Sequence, residues 1–191
     1  MRGALAAAAL GLVLARSAAA QAPAHGAVRP RASMHVLLGG YVPTGVQRRT
    51  FDSAALIGGQ LAVRVQPRLA IVVGVAVAQV VDRALPVDGD VNLLQYDAGV
   101  EFERGASSWT AGITPFVGLG VGGRSYDYRA AGIATGSSAV GYVALGGERR
   151  FQRTGLRVEA RTYASRGTGV QDDDATRFDV MLLAGLAYHF R

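Results

Sequence analysis

The chain contains no cysteine, and all of its basic residues are arginine. Without cysteine there is no disulfide framework and no thiolate metal site. A cysteine-free exported chain suits the bacterial envelope. The missing lysine reads as base-composition bias before it reads as a binding feature. Long apolar runs are also missing after the first twenty residues. None reaches the ~20 residues that a spanning helix needs. The most apolar stretch, Leu69 to Val81, is valine-rich and broken by Gly74, which is a strand signal. Aromatics make up only 7% of the chain. The arginines are scattered, with no basic stripe interleaved with aromatics, so the positive balance does not point to nucleic acid.

The N-terminus has a composition of its own. Arg2 gives a positive start, Ala4 to Ala15 an apolar core, and Ala18-Ala19-Ala20 a small-residue cleavage site before Gln21. Residues 1–20 therefore read as a secretory signal peptide. The competing reading, a single anchoring helix, has too short an apolar core. With Arg2 and Arg16 in the leader, the net charge of +6 falls to about +4 in the mature chain. Residues 21–32, polar and proline-containing, read as a loose periplasmic lead-in. Residues 33–191 are long enough for one domain. Glycine is abundant, 26 of 191 residues, about twice the usual ~7%.

Period-two alternation divides this domain into eight segments. They run about Ser33–Val42, Ala54–Gln66, Leu69–Val81, Val91–Arg104, Thr110–Arg124, Ser138–Phe151, Leu156–Ser165 and Thr176–Arg191. The last is the clearest. Phe178, Val180, Leu182, Ala184, Leu186, Tyr188 and Phe190 share one face, and Arg177, Asp179 and His189 lie on the other. Short connections are expected after strands 2, 4 and 6, and longer ones after 1, 3, 5 and 7. Both ends of the domain then lie on the short-turn side. An even strand count with short periplasmic turns and longer outer loops is the pattern of outer-membrane barrels. The expectation is an all-β, eight-stranded, antiparallel up-and-down transmembrane β-barrel.

Alternation alone does not say which face is inside. A soluble lipid-binding barrel would enclose the apolar face, and a membrane barrel would expose it. Three features favour the membrane. The segments are long enough to span. Phe102, Trp109, Phe151, Tyr188 and Phe190 cluster near the short-turn end, where an interfacial girdle belongs. The charges of the mixed face nearly balance, with Arg64, Arg124, Arg157, Arg161 and Arg177 against Asp97, Glu101, Glu103, Glu148, Glu159 and Asp179. Such a set can pair inside a lumen, where unpaired charge is costly.

The leader, the eight strands and the aromatic final strand resemble the small outer-membrane β-barrel family that includes the OmpA transmembrane domain and OmpX. The resemblance implies an outer-membrane location, a monomer among outer-membrane lipids and lipopolysaccharide, and no enzymatic activity. It also implies an assembly signal in the last strand, read by the barrel-insertion machinery. Leu186, Tyr188 and Phe190 match that signal. Arg191 departs from it, because the aromatic is penultimate.

Few residues carry chemistry. His35 and His189 are expected near one another at the periplasmic mouth, as polar filling without a third metal ligand. Lipid-A-modifying barrels place a Ser-His-Glu group at the outer edge, and no mature histidine falls there. The strand 4 acids and strand 7 arginines are expected to form a plug of ion pairs, not the carboxylate pair of a glycosidase. Gly118, Gly120 and Gly122, with Gly99 and Gly185, suggest spare room in the lumen. In the loops, Asp172-Asp173-Asp174 could take a divalent cation and Arg48-Arg49 lipopolysaccharide phosphates, although solvated charge explains both. No cofactor is called for. The function expected is envelope structure with surface loops for adhesion or binding. The alternatives are a narrow solute channel and a soluble periplasmic lipid-binding barrel.

Overall fold

The computed structural model describes residues 31–45, 48, 51–83, 89–105, 112–128, 136–166 and 176–190. The leader, most of the lead-in, Arg49, Trp109, Asp172 to Asp174 and Arg191 lie outside them. Eight strands form: β1 Ala32–Pro43, β2 Ala54–Gln66, β3 Leu69–Asp82, β4 Gly89–Glu103, β5 Ile113–Tyr128, β6 Gly136–Phe151, β7 Thr154–Arg166 and β8 Thr176–Phe190. Each pairs antiparallel with its sequence neighbour, and β1 pairs with β8 to close the barrel. The closing register runs from Ala32 opposite Phe190 to Pro43 opposite Asp179. The ladder slips once, between Arg64 and Gln66 where β2 meets β3. Pro115 sits near the start of β5, where a missing donor costs least.

Period-two patterning decides the rest. Valine, leucine and isoleucine on alternate positions of every strand point outward. Ile57, Val73, Leu119, Leu145 and Leu186 are each half or more exposed. The opposite face, with nearly all the charge, points in. This reverses the arrangement of a soluble ligand-binding barrel. The chain has the closed eight-stranded architecture of a transmembrane barrel. On β8, Phe178, Leu182, Leu186, Tyr188 and Phe190 all lie on the outer face. Phe102, Phe151, Tyr188 and Phe190 form the aromatic belt at the end where β1 begins and β8 finishes, here called the terminal end.

Three expectations about the connections need correction. The one between β4 and β5 occupies 104–112, longer than the 83–88 link between β3 and β4, so lengths do not alternate strictly. Gly112 there takes a positive φ of 79°, which glycine adopts without steric cost. The segment 125–137 was expected to be loop, but β5 continues to Tyr128 and β6 resumes at Gly136. Tyr126 is therefore a buried lumen residue. Phe51, expected in an exposed loop, is also buried. It bridges to Asp82 and stacks on Tyr126, with ring centroids 5.5 Å apart at 8°.

Candidate functional site

A small eight-stranded barrel has an interior that side chains fill, so the lumen is where chemistry would reside. Inward positions on all eight strands supply its polar groups: His35 from β1, Gln60 and Arg64 from β2, Asp82 from β3, Asp97, Glu101 and Glu103 from β4, Arg124 from β5, Glu148 and Arg150 from β6, Arg157, Glu159 and Arg161 from β7, and Asp179 and His189 from β8.

From the terminal end inward, these side chains form one ladder. Arg64 Nη2 lies 2.7 Å from Glu103 Oε1, and Arg150 Nη2 lies 2.9 Å from the same oxygen. Arg150 Nε reaches Glu148 Oε1 at 2.7 Å. Arg157 continues the ladder, 3.9 Å from Glu148, 2.5 Å from Glu101 and 2.6 Å from Glu159. Arg161 joins Glu159 at 2.6 Å to Asp97 at 3.1 Å. Tyr163 then donates its hydroxyl to Asp97 Oδ2 at 2.8 Å. Alternating sign along the ladder offsets the cost of taking these charges out of water, which is large for any left alone.

A second polar group lies farther from the terminal end. Arg124 pairs with Asp179, and both are fully buried. Arg124 Nε donates to Gln95 Oε1 at 2.8 Å, and Tyr41 donates to Asp179 Oδ1 at 3.0 Å. The guanidinium carbon lies 5.4 Å from the ring centroids of Tyr41 and of Tyr163. Tyr163 thus links the two groups, its ring near Arg124 and its hydroxyl on Asp97. Around this pair the lumen is apolar and aromatic, with Phe51, Leu56, Val80, Val91, Leu93 and Val140.

The strand 4 and strand 7 charges meet at Asp97–Arg161 and Glu101–Arg157. Glu103 instead turns to Arg64 and Arg150. Arg177 is inward on β8 near the far end and is half-buried. Arg150 was missed, although it shares the parity of Glu148. With it, six guanidiniums face seven carboxylates among the described residues, counting the buried Asp82 at the far end of β3. Tyr41, Gln60, Gln95 and Tyr163 were missed as partners too, because parity marks a residue as inward without saying what it touches.

His35 and His189 do converge. The point of convergence is Glu148, 3.5 Å from His35 Nε2 and 3.0 Å from His189 Nε2. Both Nε2 atoms lie off the line that a good hydrogen bond requires. His35 Nδ1 faces Gln60 Oε1 at 3.0 Å. The carboxylate is already engaged by arginine, and among the described residues no three His, Cys, Asp or Glu are arranged to hold a metal. Each ladder carboxylate is likewise engaged by arginine, which opposes an acid–base pair.

The expectation of spare room at the glycines is overturned. A Cβ at Gly120 would lie 2.5 Å from the Tyr142 ring and 2.4 Å from the Ala98 carbonyl, and one at Gly99 would lie 2.4 Å from the Tyr142 hydroxyl. Tyr142 fills the space over these two glycines. At Gly185 a Cβ would fall 1.9 Å from the Val36 carbonyl, so glycine there admits the neighbouring strand. A lumen cavity of about 20 Å³ borders Gly74, Asp97, Arg161 and Tyr163. That is room for about one water molecule.

No protein-family model matches the chain, and no curated protein matches it in sequence. Solved structures do match in fold. Neisserial surface protein A superposes with a TM-score of 0.66 over 87% of this chain and 100% of that one, at 13% identity. The outer membrane protein OprG from Pseudomonas aeruginosa gives 0.53 over 85% and 98%, at 14% identity. The N-terminal β-barrel domain of Pseudomonas aeruginosa OprF gives 0.53 over 83% and 97%, at 13% identity. The chain shares the fold of these small barrels.

Proposed function

We propose that the chain is a non-enzymatic outer-membrane β-barrel that serves envelope structure and carries its outer connections as a binding or adhesion surface. The observation that carries this is the lumen. It is packed along its length by an ion-pair ladder and an aromatic layer, above an apolar exterior suited to lipid. All four far-end connections, 44–53, 83–88, 129–135 and 167–175, are longer than the two-residue turns 67–68 and 152–153 of the terminal end, where 104–112 is the long exception. The fold shared with OprG, an outer membrane protein, supports the same location. The signal peptide over residues 1–20 and the assembly role of Leu186, Tyr188 and Phe190 belong to this reading.

Cell fractionation with gel mobility before and after boiling tests it. The protein should enter the outer-membrane fraction and shift on heating. Soluble recovery without a shift would instead favour the periplasmic lipid-binding barrel, which the charged lumen already opposes. Planar-bilayer recording addresses the channel alternative. A plugged lumen should give no steady conductance, and a reproducible unit conductance would replace the structural reading with a pore.

A further inference from the structure

The charge at the terminal end is one-sided. Arg31, Arg68, Arg104, Arg149 and Arg153 are all exposed there. Among the described residues, the carboxylates of that end are Glu103 and Glu148, and both turn into the lumen ladder. The far end is mixed, with Arg83 paired to Asp52 and Asp127 exposed. The five arginines sit at the level of the aromatic belt, where lipid headgroups meet a spanning barrel.

One of them differs from the rest. Arg149 lies on the outer face of β6, and its guanidinium carbon is 5.4 Å from the Phe151 ring centroid. It also borders an outer-surface groove of about 810 Å³ that crosses β6, β7 and β8, from Ile113 of β5 to Leu38 of β1. Leu145, Leu156, Val158 and Leu182 are its raised apolar sides. Ala160 and Ala184 are its low points. A long apolar trough bordered by a guanidinium on an otherwise carboxylate-free rim matches one chemistry, an acyl chain carrying an anionic phosphate head. Guanidinium suits phosphate because it presents two parallel donors.

We propose that this groove binds an anionic phospholipid of the periplasmic leaflet, with the phosphate on Arg149 and one acyl chain lying over Ala184. The proposal rests on the membrane reading above. The full chain is folded into vesicles of phosphatidylcholine with or without phosphatidylglycerol. Lipid retained after detergent extraction is then counted by native mass spectrometry. Phosphatidylglycerol should be retained in preference to phosphatidylcholine. R149Q should lower that retention about fivefold, the usual weight of one interfacial arginine. A184F should lower it with every charge intact. R68Q, across the barrel, should leave it unchanged. Equal retention of the two lipids, or an equal loss in R68Q and R149Q, would overturn the site while the heat-shifted band still upholds the barrel. A chain that neither enters vesicles nor shifts on heating would sink both readings.

Discussion

The two ends of the lumen obey the same inward parity and are filled by different chemistries. Toward the terminal end, nine charged side chains run as a ladder from Arg64 to Asp97, each engaging at least one of opposite sign. Toward the far end, Phe51, Leu56, Val80, Val91, Leu93 and Tyr126 form a layer like the core of a soluble protein, crossed by the buried pair Arg124–Asp179. The difference lies in what a substitution leaves behind. In the ladder Arg150, Arg157 and Arg161 each answer to two or more carboxylates, so none of their pairs can be removed cleanly. In the far layer the pair is held by the neutral groups of Tyr41, Gln95 and Tyr126, and its surroundings would accept an apolar replacement. The far layer is also continuous with the outer connections through Phe51, which ties the segment before β2 to Tyr126 of β5.

The largest expected effect is in the ladder. Arg157→Leu should leave Glu101 without its 2.5 Å partner and weaken Glu148 and Glu159. Breaking a buried ionic group by removing one partner costs about 3–5 kcal/mol. Urea titration of the folded protein in micelles, followed by loss of the heat-shifted band, measures it. A cost below about 1 kcal/mol, the range of surface pairs, would show that the ladder is solvated and the comparison empty.

A pair of double variants sharpens the contrast. Asp179→Leu alone should cost about 3 kcal/mol, because Arg124 stays buried and charged. Arg124→Leu with Asp179→Leu should recover most of that, since the apolar layer tolerates a hydrophobic replacement. Tyr41, Gln95 and Tyr126 each lose a hydrogen bond, so recovery stops about 1–2 kcal/mol short. Arg157→Leu with Glu101→Leu should recover little, because Glu148 and Glu159 remain. Equal recovery in the two doubles would erase the distinction between the halves.

A smaller effect is expected where the halves meet. Gly120→Ala would drive a methyl against Tyr142 and the Ala98 carbonyl. Overpacking of this kind costs about 1–3 kcal/mol. A neutral result in the same titration would mean that Tyr142 can swing clear and that the glycine face does hold room.

Much of this was legible in the sequence because a strand has period two. Alternation placed Ile57, Val73 and Leu186 on one face and Arg157, Glu159 and Arg161 on the other, and strand count with antiparallel order gave closure. The ladder's members were legible as inward, but not their pairings. Glu103 sits opposite Phe116 in the β4–β5 register, yet its partners are Arg64 on β2 and Arg150 on β6, which meet it across the lumen. Those contacts depend on barrel stagger and side-chain reach. The glycines misled for a related reason. An absent side chain looks like space until the residue that fills it, here Tyr142 two strands from Gly99, is known. Phe51 and Tyr126 were hidden because they lie outside the clean alternation, where local polarity imitates a loop.

The smallest expected effect concerns the end of β8. Leu186, Tyr188 and Phe190 lie on its outer face, with Tyr188 and Phe190 in edge contact at 5.1 Å. Phe190 pairs with Ala32 at the closing seam, the last pair of that register among the described residues. If the outer row is what the insertion machinery reads, Arg191 only displaces the aromatic from the terminus. Deleting it should leave the heat-shifted outer-membrane yield unchanged or raise it, and should leave the urea midpoint unmoved. Phe190→Ala should lower the yield through the lost aromatic, with a stability change confined to its lipid-facing ring. A severe loss of assembly on deleting Arg191, with stability intact, would mean that the charge itself is read. The row of aromatics would then serve the bilayer interface alone.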